Sequence, residues 1–275
     1  MRPLRTGPLQ VERLAVEIAN LPASLSGCKI VQFSDFHYDG ERLSESLLAE
    51  AIARCNAEAP DLVVLTGDFV THDPSWIDPL AAQLRRLQAR AGIVASLGNH
   101  DLKYHQSRSR IVAALERADI TVLWNAIAYP LGPSLAIVGL ADYWSPEYRP
   151  TPVFAQVAAG VPRIVLSHNP DSAVGLRRFR VDLQLSGHTH GGQIQIPGYG
   201  PLPKLLQPLN NRIPQLLVPK FLRKCDRVVN VWQYARGPYQ AGENFLYVNR
   251  GLGSYFPGRW GCSPEIAVFA LKCSG

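Results

Sequence analysis

Three things are scarce in this sequence, and each scarcity excludes a class of protein. No window holds the roughly 18 uninterrupted apolar residues of a membrane-spanning helix, so no transmembrane segment is expected. The basic opening Met1-Arg2-Pro3-Leu4-Arg5 lacks a signal-peptide apolar core behind it, because Glu12 and Glu17 interrupt the next stretch. Cysteine is sparse and odd in number: Cys28, Cys55, Cys225, Cys262 and Cys273 are widely spaced and form no CxxC. That spacing argues against a disulfide framework or zinc knuckle and for reduced thiols in the cytoplasm. Charged residues make up only 18% against 47% hydrophobic, with no low-complexity stretch, which excludes a disordered chain, a coiled coil and a collagen-like repeat. A globular chain of 275 residues remains, read as one domain over residues 1–275.

What is present is an alternation of short apolar runs and helical patterns. Residues 29–34 (KIVQFS), 61–66 (DLVVLT) and 92–97 (GIVASL) read as buried strands. Between them, Leu47, Leu48, Ala51 and Ile52 recur at helical spacing over 44–57, and Leu80, Leu84 and Leu87 over 75–89. Such β-α-β-α-β order implies parallel strands whose ligands collect at the carboxyl ends. Further strands are expected at 120–123, 135–138, 163–167, 181–186, 245–248 and 265–271. About nine strands are too many for one sheet, so the economical fold is α/β, a two-sheet β sandwich flanked by helices in four layers (αββα). Residues 191–244 have poor strand character and many prolines, and read as a lid or cap insertion.

Five polar clusters follow β runs directly: Asp35-Phe36-His37, Gly67-Asp68, Gly98-Asn99-His100-Asp101, His168-Asn169 and Gly187-His188-Thr189-His190. Taken singly, each is an ordinary strand-end turn, since Gly and Asp favour turns. Together they hold five of the seven histidines, all able to reach one rim of the sheets, while His72 and His105 read as loop or helix-end residues. Carboxylate, imidazole and amide oxygen form a borderline ligand set that suits Mn, Fe or Zn better than Ca or Mg. Seven such ligands exceed one ion with an open position, whereas two ions sharing a bridging carboxylate, about 3.5–4 Å apart, use them naturally.

The order D-x-H, G-D, G-N-H-D, H, G-H-x-H over residues 35–190 resembles that of the calcineurin-like metallophosphoesterases. Asn249-Arg250-Gly251-Leu252-Gly253 and Ser263-Pro264-Glu265-Ile266 also resemble a bacterial, often membrane-associated branch that includes UDP-2,3-diacylglucosamine hydrolases of lipid A synthesis. The resemblance implies the same sandwich fold and a hydrolase using two divalent ions, Mn first, Fe or Zn as alternatives. By motif position it implies that Asp35, His37 and His190 hold the first ion, that Asn99, His168 and His188 hold the second, and that Asp68 bridges them. It further implies His100 as general acid, held by Asp101. Thr71 stands where the longer family motif has a second Asp, so loop support there is expected to differ. Asp142, after the 135–138 strand, reads as a substrate contact or a turn carboxylate, and Arg250 as a phosphate ligand or a surface salt bridge.

The formal charge of +6 is local. Residues 201–236 carry Lys204, Arg212, Lys220, Arg223, Lys224, Arg227 and Arg236 against the single acid Asp226, so the rest of the chain sums to zero. Leu217, Phe221, Cys225, Val228 or Val229, and Trp232 recur at three to four, opposite Lys220, Arg223, Lys224 and Arg227, which predicts a basic amphipathic helix. Three uses fit it: a lid with a solvated basic face, docking on an anionic membrane surface, and nucleic-acid binding, the last without an RRM, KH or helix-turn-helix pattern. The expectation is a cytoplasmic enzyme peripheral to the inner membrane, acting on a phosphorylated lipid or nucleotide-lipid. A soluble nucleotide or nucleic-acid phosphodiesterase and a catalytically silent binding scaffold are the alternatives. No protein partner is inferred.

Overall fold

The computed structural model describes residues 6–210 and 228–274. Its first half comprises β1 (Gln10–Ile18), β2 (Lys29–Phe33), α1 (Glu45–Ala57), β3 (Leu62–Thr66), α2 (Ile77–Leu84), β4 (Ile93–Ser96), α3 (Ser107–Glu116) and β5 (Ile120–Val122). There follow β6 (Ala126–Ala128), β7 (Ala136–Gly139), α4 (Pro150–Phe154), β8 (Arg163–Leu166), α5 (Ser172–Leu176) and β9 (Leu183–Ser186). The chain continues through a small hairpin, β10 (Gln195–Ile196) and β11 (Gly200–Pro201), to α6 (Leu202–Asn210), β12 (Gly237–Ala241), β13 (Asn244–Val248) and β14 (Glu265–Cys273).

Two six-stranded sheets result, in the orders β1-β14-β2-β3-β4-β5 and β12-β13-β9-β8-β7-β6. The strands β2 to β5 run parallel, as do β7, β8, β9 and β13, so each sheet presents a set of aligned carboxyl ends. The last strand, β14, lies between β1 and β2, parallel to the first and antiparallel to the second.

Side-chain alternation sorts the core into layers. Along β2 and β3, Ile30, Leu62 and Val64 face the second sheet's Ile137, Ile164, Leu166 and Leu185, while Val31, Phe33, Val63 and Leu65 pack against Leu48 and Ile52 of α1 and Leu80 and Leu84 of α2. On the far side, Val138 and Val165 pack against Phe154, Val157 and Leu176. Both faces of the central strands are buried, which is why they read as continuous apolar runs. The fold is therefore the mixed α/β arrangement of two sheets between helices that the strand count implied.

Several boundaries differ from the pattern reading. The helix expected over 75–89 is α2 alone, because Leu87 N–H bonds to Leu84 O and Arg86 N–H to Gln83 O, three-residue turns that leave the helical register. Residues 237–241, placed in the insertion, form β12 and pair antiparallel with β13, so the excursion from the sheet ends before Gly237. The basic helix is corrected at its end: Val228 to Val231 are not helical, and Trp232 starts a 3-10 turn, Trp232–Tyr234, as a buried side chain. Lys220, Phe221, Arg223, Lys224 and Arg227 lie outside the described residues. Among the described residues no helix is long and apolar enough to cross a membrane. Cys28, Cys55, Cys262 and Cys273 are free thiols.

Candidate metal centre and active site

All five polar clusters emerge from carboxyl ends. Asp35 and His37 follow β2, Asp68 follows β3, Asn99 and His100 follow β4, His168 follows β8, and His188 and His190 follow β9. The glycines of the motifs have a steric reason. A Cβ on Gly98 would lie 2.3 Å from Asp68 Oδ1, and one on Gly187 would lie 2.2 Å from Asp35 Oδ2, so only glycine lets these loops approach the carboxylates. Five of the seven implied ligands, Asp35, His37, Asp68, His188 and His190, hold left-handed backbone with φ between 44° and 71°. Non-glycine residues adopt it at a cost of about 1–3 kcal/mol each, and such outliers cluster at functional sites.

The side chains converge on two overlapping groups, one of Asp35, His37 and His190 and one of Asp68, His168 and His188. In the first, His190 Nε2 lies 3.0 Å from His37 Nε2 and 3.4 Å from Asp35 Oδ1. In the second, His168 Nε2 lies 3.2 Å from His188 Nδ1 and 3.1 Å from Asp68 Oδ2. Asp68 Oδ2 is also 3.4 Å from His37 Nε2, so this carboxylate stands between the groups.

Whether a cation fits is decided by the outward nitrogens. His168 Nδ1 donates to Thr66 O at 2.6 Å, His188 Nε2 to Val228 O at 2.8 Å, and His190 Nδ1 to Gly253 O at 3.2 Å; His37 Nδ1 pairs with the Tyr255 hydroxyl at 3.0 Å. Carbonyl oxygens only accept, so the protons sit outward and the inner nitrogens present lone pairs to one another. Lone pairs facing at hydrogen-bond distance fit around a cation, and distal N–H bonds of this kind typify ligating histidines. Asn99 Oδ1, buried without a hydrogen-bond partner, adds one more oxygen donor.

The electrostatics of the bare cluster are divided. Against the effect of burial, Asp68 holds His168 up to about 10, and burial pushes the Asp35 carboxyl up to about 6. Asp68 and His188, by contrast, are held in metal-binding forms. Burial works to raise the Asp68 carboxyl, yet the surrounding His168, His100 and His37 hold it well below the usual carboxylate range. Burial pushes His188 down to about 3, helped by the charge of His168. A neutral imidazole and an ionised carboxylate are the forms that bind metal.

His100 is placed beside this cluster, with its ring centroid 4.8 Å from that of His37. Its Nδ1 donates to Thr71 O at 2.7 Å, so Nε2 carries a proton as well only in the imidazolium form. Asp101 does not hold the imidazole, contrary to the motif expectation. Its carboxylate instead accepts the backbone N–H of Asp68 at 2.8 Å, Phe69 at 2.9 Å and Gly98 at 2.9 Å, tying the two ligand loops together. Thr71, the departure from the longer motif, supplies the support by its carbonyl. Arg250 is likewise engaged elsewhere: its guanidinium pairs with Glu12 at 2.6 Å and with Glu265. Asp142 is buried, accepts Trp144 N–H at 3.0 Å and leaves Oδ1 unpartnered beside the site.

A cavity of about 550 Å³ opens over the cluster, floored by Asp68, Asn99, His188 and His190. Its lining also includes Arg42, His72 and Lys103, and Trp144, Val228, Trp232 and Phe256. A larger cleft of about 680 Å³ at the opposite strand ends, lined by Arg178, Asp182 and Asn244, contains none of the clustered ligands, so ligand geometry rather than volume locates the chemistry. Sequence patterns missed Tyr255, Arg42 and Lys103, and set His72 aside as a loop residue. Only the ring of Tyr255 offered a sequence signal, and it lies 218 positions from the histidine it orients.

This is the active-site architecture of a metal-dependent phosphoesterase. The calcineurin-like phosphoesterase family matches residues 28–192, and the chain belongs to it. Its relatives include the uncharacterized metallophosphoesterase YkuE of Bacillus subtilis, 34% identical over 92% of this chain and 82% of the relative. Phosphodiesterase YaeI of Escherichia coli is 32% identical over 88% of this chain and 82% of its own length. UDP-2,3-diacylglucosamine pyrophosphatase LpxG of Chlamydia trachomatis is 28% identical over 96% and 89%. The protein is accordingly a metallophosphoesterase, a hydrolase that uses divalent metal.

Proposed function

We propose that the protein hydrolyses a phosphodiester or pyrophosphate bond of a lipid-linked substrate at a membrane surface, with a UDP-2,3-diacylglucosamine-type molecule as the leading candidate. The observation that carries this reading is the cavity over the ligand cluster, whose walls include both cationic and aromatic side chains. Such walls suit a molecule with an anionic headgroup and an apolar remainder. Similarity to a relative named for that pyrophosphatase activity supports it.

Asp35, His37 and His190 would hold one ion, Asn99, His168 and His188 a second, and Asp68 would contact both; Mn is the first choice for this mixed donor set, with Fe or Zn as alternatives. When bound, two such ions acidify water and neutralise the phosphate oxygens. The chain's own contribution is positional. Asp101 fixes the loops that carry Asp68 and Asn99, Thr71 O accepts the Nδ1 N–H of His100, and His100, entering the step as an imidazolium, would give its Nε2 proton to the departing oxygen. Asp142, whose Oδ1 is buried and unpartnered, would on this reading accept from a substrate hydroxyl.

The test compares Mn-loaded protein on bis(p-nitrophenyl) phosphate, UDP-glucose and UDP-2,3-diacylglucosamine. Preference for the acylated sugar nucleotide, with about 10²-fold or greater loss on His100→Ala, is the expected result. Similarity to a phosphodiesterase supports a second reading, a soluble diester substrate, and equal turnover with and without acyl chains would favour it. Absence of turnover on every substrate, unaffected by His100→Ala, would return the protein to a binding scaffold.

A further inference from the structure

We infer that Arg259 is a positioning residue for one half of the metal centre, pinning the single loop against which Asp35, His37 and His190 are all held; this rests on the two-ion assignment proposed above. The loop follows β13 and contains Asn249-Arg250-Gly251-Leu252-Gly253, a motif to which no step of the hydrolysis gives a role. Gly253 N–H donates to Asp35 O at 2.7 Å, and Gly253 O accepts from His190 Nδ1 at 3.2 Å. The Tyr255 hydroxyl meets His37 Nδ1 at 3.0 Å. A Cβ on Gly251 would lie 2.5 Å from Asp35 Cβ, and one on Gly253 would lie 2.7 Å from Phe36 O and 2.9 Å from His37 Cβ, so the loop packs directly on the first motif. The other ligands lean elsewhere. His168 donates to Thr66 O and His188 to Val228 O, while Asn99 Oδ1 has no hydrogen-bond partner among the described residues.

What holds this loop is one guanidinium. Arg259 is 5% exposed, and among the described residues no carboxylate pairs with it. A buried cation without a counter-charge is costly unless its hydrogen bonds are met. Here they are met by main chain and a hydroxyl. Nε donates to Ser254 Oγ at 2.9 Å, and Nη2 to Gly253 O at 2.6 Å, Arg250 O at 2.8 Å and Gly251 O at 3.1 Å. Nη1 donates to Cys262 O at 3.4 Å and His190 O at 3.5 Å. Gly253 O, with two lone pairs, serves both Arg259 and the His190 ring. Arg259 therefore reaches His190 through two carbonyls, its own and the one its ring donates to, and reaches Asp35 through the main chain of Gly253. Lysine keeps the charge but not the planar fork, so it cannot hold these acceptors together. The two ion positions are thus unequal: removing support of this kind costs about 10–100-fold in metal affinity, and this support serves Asp35, His37 and His190 alone among the seven ligands.

The experiment titrates Mn²⁺ into metal-free wild type, Arg259→Lys and Tyr255→Phe, and records the electron paramagnetic resonance of the loaded proteins. Wild type should take two ions and show an exchange-coupled spectrum. In Arg259→Lys the dissociation constant of one ion should rise about 10–100-fold while that of the other stays, leaving the hyperfine pattern of an isolated ion. Added to His190→Ala, which keeps only the second ion, Arg259→Lys should change nothing; added to His168→Ala, it should take the ion that remains. Should Arg259→Lys fail to fold, Tyr255→Phe decides in its place, because it removes one hydroxyl from the same loop and should weaken the same ion about tenfold. Loss of both ions alike, or of neither, in the variant that decides overturns the inference and leaves the two-ion assignment standing. A wild type that binds a single ion overturns that assignment, and the inference with it.

Discussion

At the scale of single residues, the candidate ligands stood out in the sequence because metal chemistry restricts residue type and because each follows a β run. Their supports were not. His168, His188 and His190 are oriented by the carbonyls of Thr66, Val228 and Gly253, and a backbone carbonyl has no sequence signature. The same holds for Thr71, whose main chain rather than hydroxyl holds His100. Asp101 was misread because its place next to His100 in sequence says nothing of where its carboxylate points. Two predictions belong here. Asp68→Ala should remove both ions, since this carboxylate lies 3.4 Å from a ligand of one group and 3.1 Å from a ligand of the other. Elemental analysis should then find well under one metal per chain, and two retained ions would refute the shared position. Asp101→Asn should cost more than a lost orienting contact. Replacing one of its two oxygens by NH₂ sets a donor against backbone N–H groups, so metal content and melting temperature should both fall, with a stability loss of about 1–3 kcal/mol.

Among elements, the strands buried on both faces were readable from apolar runs, and α1 from its helical spacing. The ones missed share a different trait: they are half-solvated. β1 alternates charged and apolar side chains along an edge, with Glu12, Arg13 and Glu17 among its residues, and these charges disguise a strand. α3 buries only Ser107, Ile111, Ala114 and Leu115, too few apolar positions for a clear stripe. α1 offers a clean test of the local account. Its start is fixed by Ser44, whose hydroxyl accepts Leu47 N–H at 3.2 Å, and the buried stripe Leu48, Ala51, Ile52 and Cys55 holds it to the first sheet. Ser44→Ala should destabilise by about 1 kcal/mol, read as a melting temperature lower by roughly 2–4 °C with metal content unchanged.

For the whole molecule, the two sheets meet at the metal cluster and their division of labour was invisible before the topology was known. Asp35, His37, Asp68 and Asn99 come from the first sheet, while His168, His188 and His190 come from the second. The group of Asp35, His37 and His190 already spans both, so a bound ion cross-links the sandwich at its open rim. Removing metal with a chelator should therefore lower the melting temperature of the whole chain rather than loosen one loop. Ligand linkage sets the scale: metal at about a hundred times its dissociation constant contributes roughly 2.7 kcal/mol, restored on adding Mn²⁺. The charge balance is the other whole-molecule property, and it stays a sequence argument, because five of its cations, Arg212, Lys220, Arg223, Lys224 and Arg227, lie outside the described residues. All of the formal +6 falls in residues 201–236, the same stretch that contributes Pro203, Val228 and Trp232 to the cavity wall. If that charge brings the cavity to an anionic bilayer, reversing Lys220, Arg223, Lys224 and Arg227 to Glu should weaken partition into phosphatidylglycerol vesicles steeply. At about 1 kcal/mol per basic residue near the surface, the loss should exceed about a hundredfold, and it should shrink as salt is raised because the attraction is screened within a Debye length. Partition that is unchanged by the reversal, or insensitive to salt, would leave the segment as a lid over the cavity and detach the lipid-linked substrate from any surface on which the enzyme meets it.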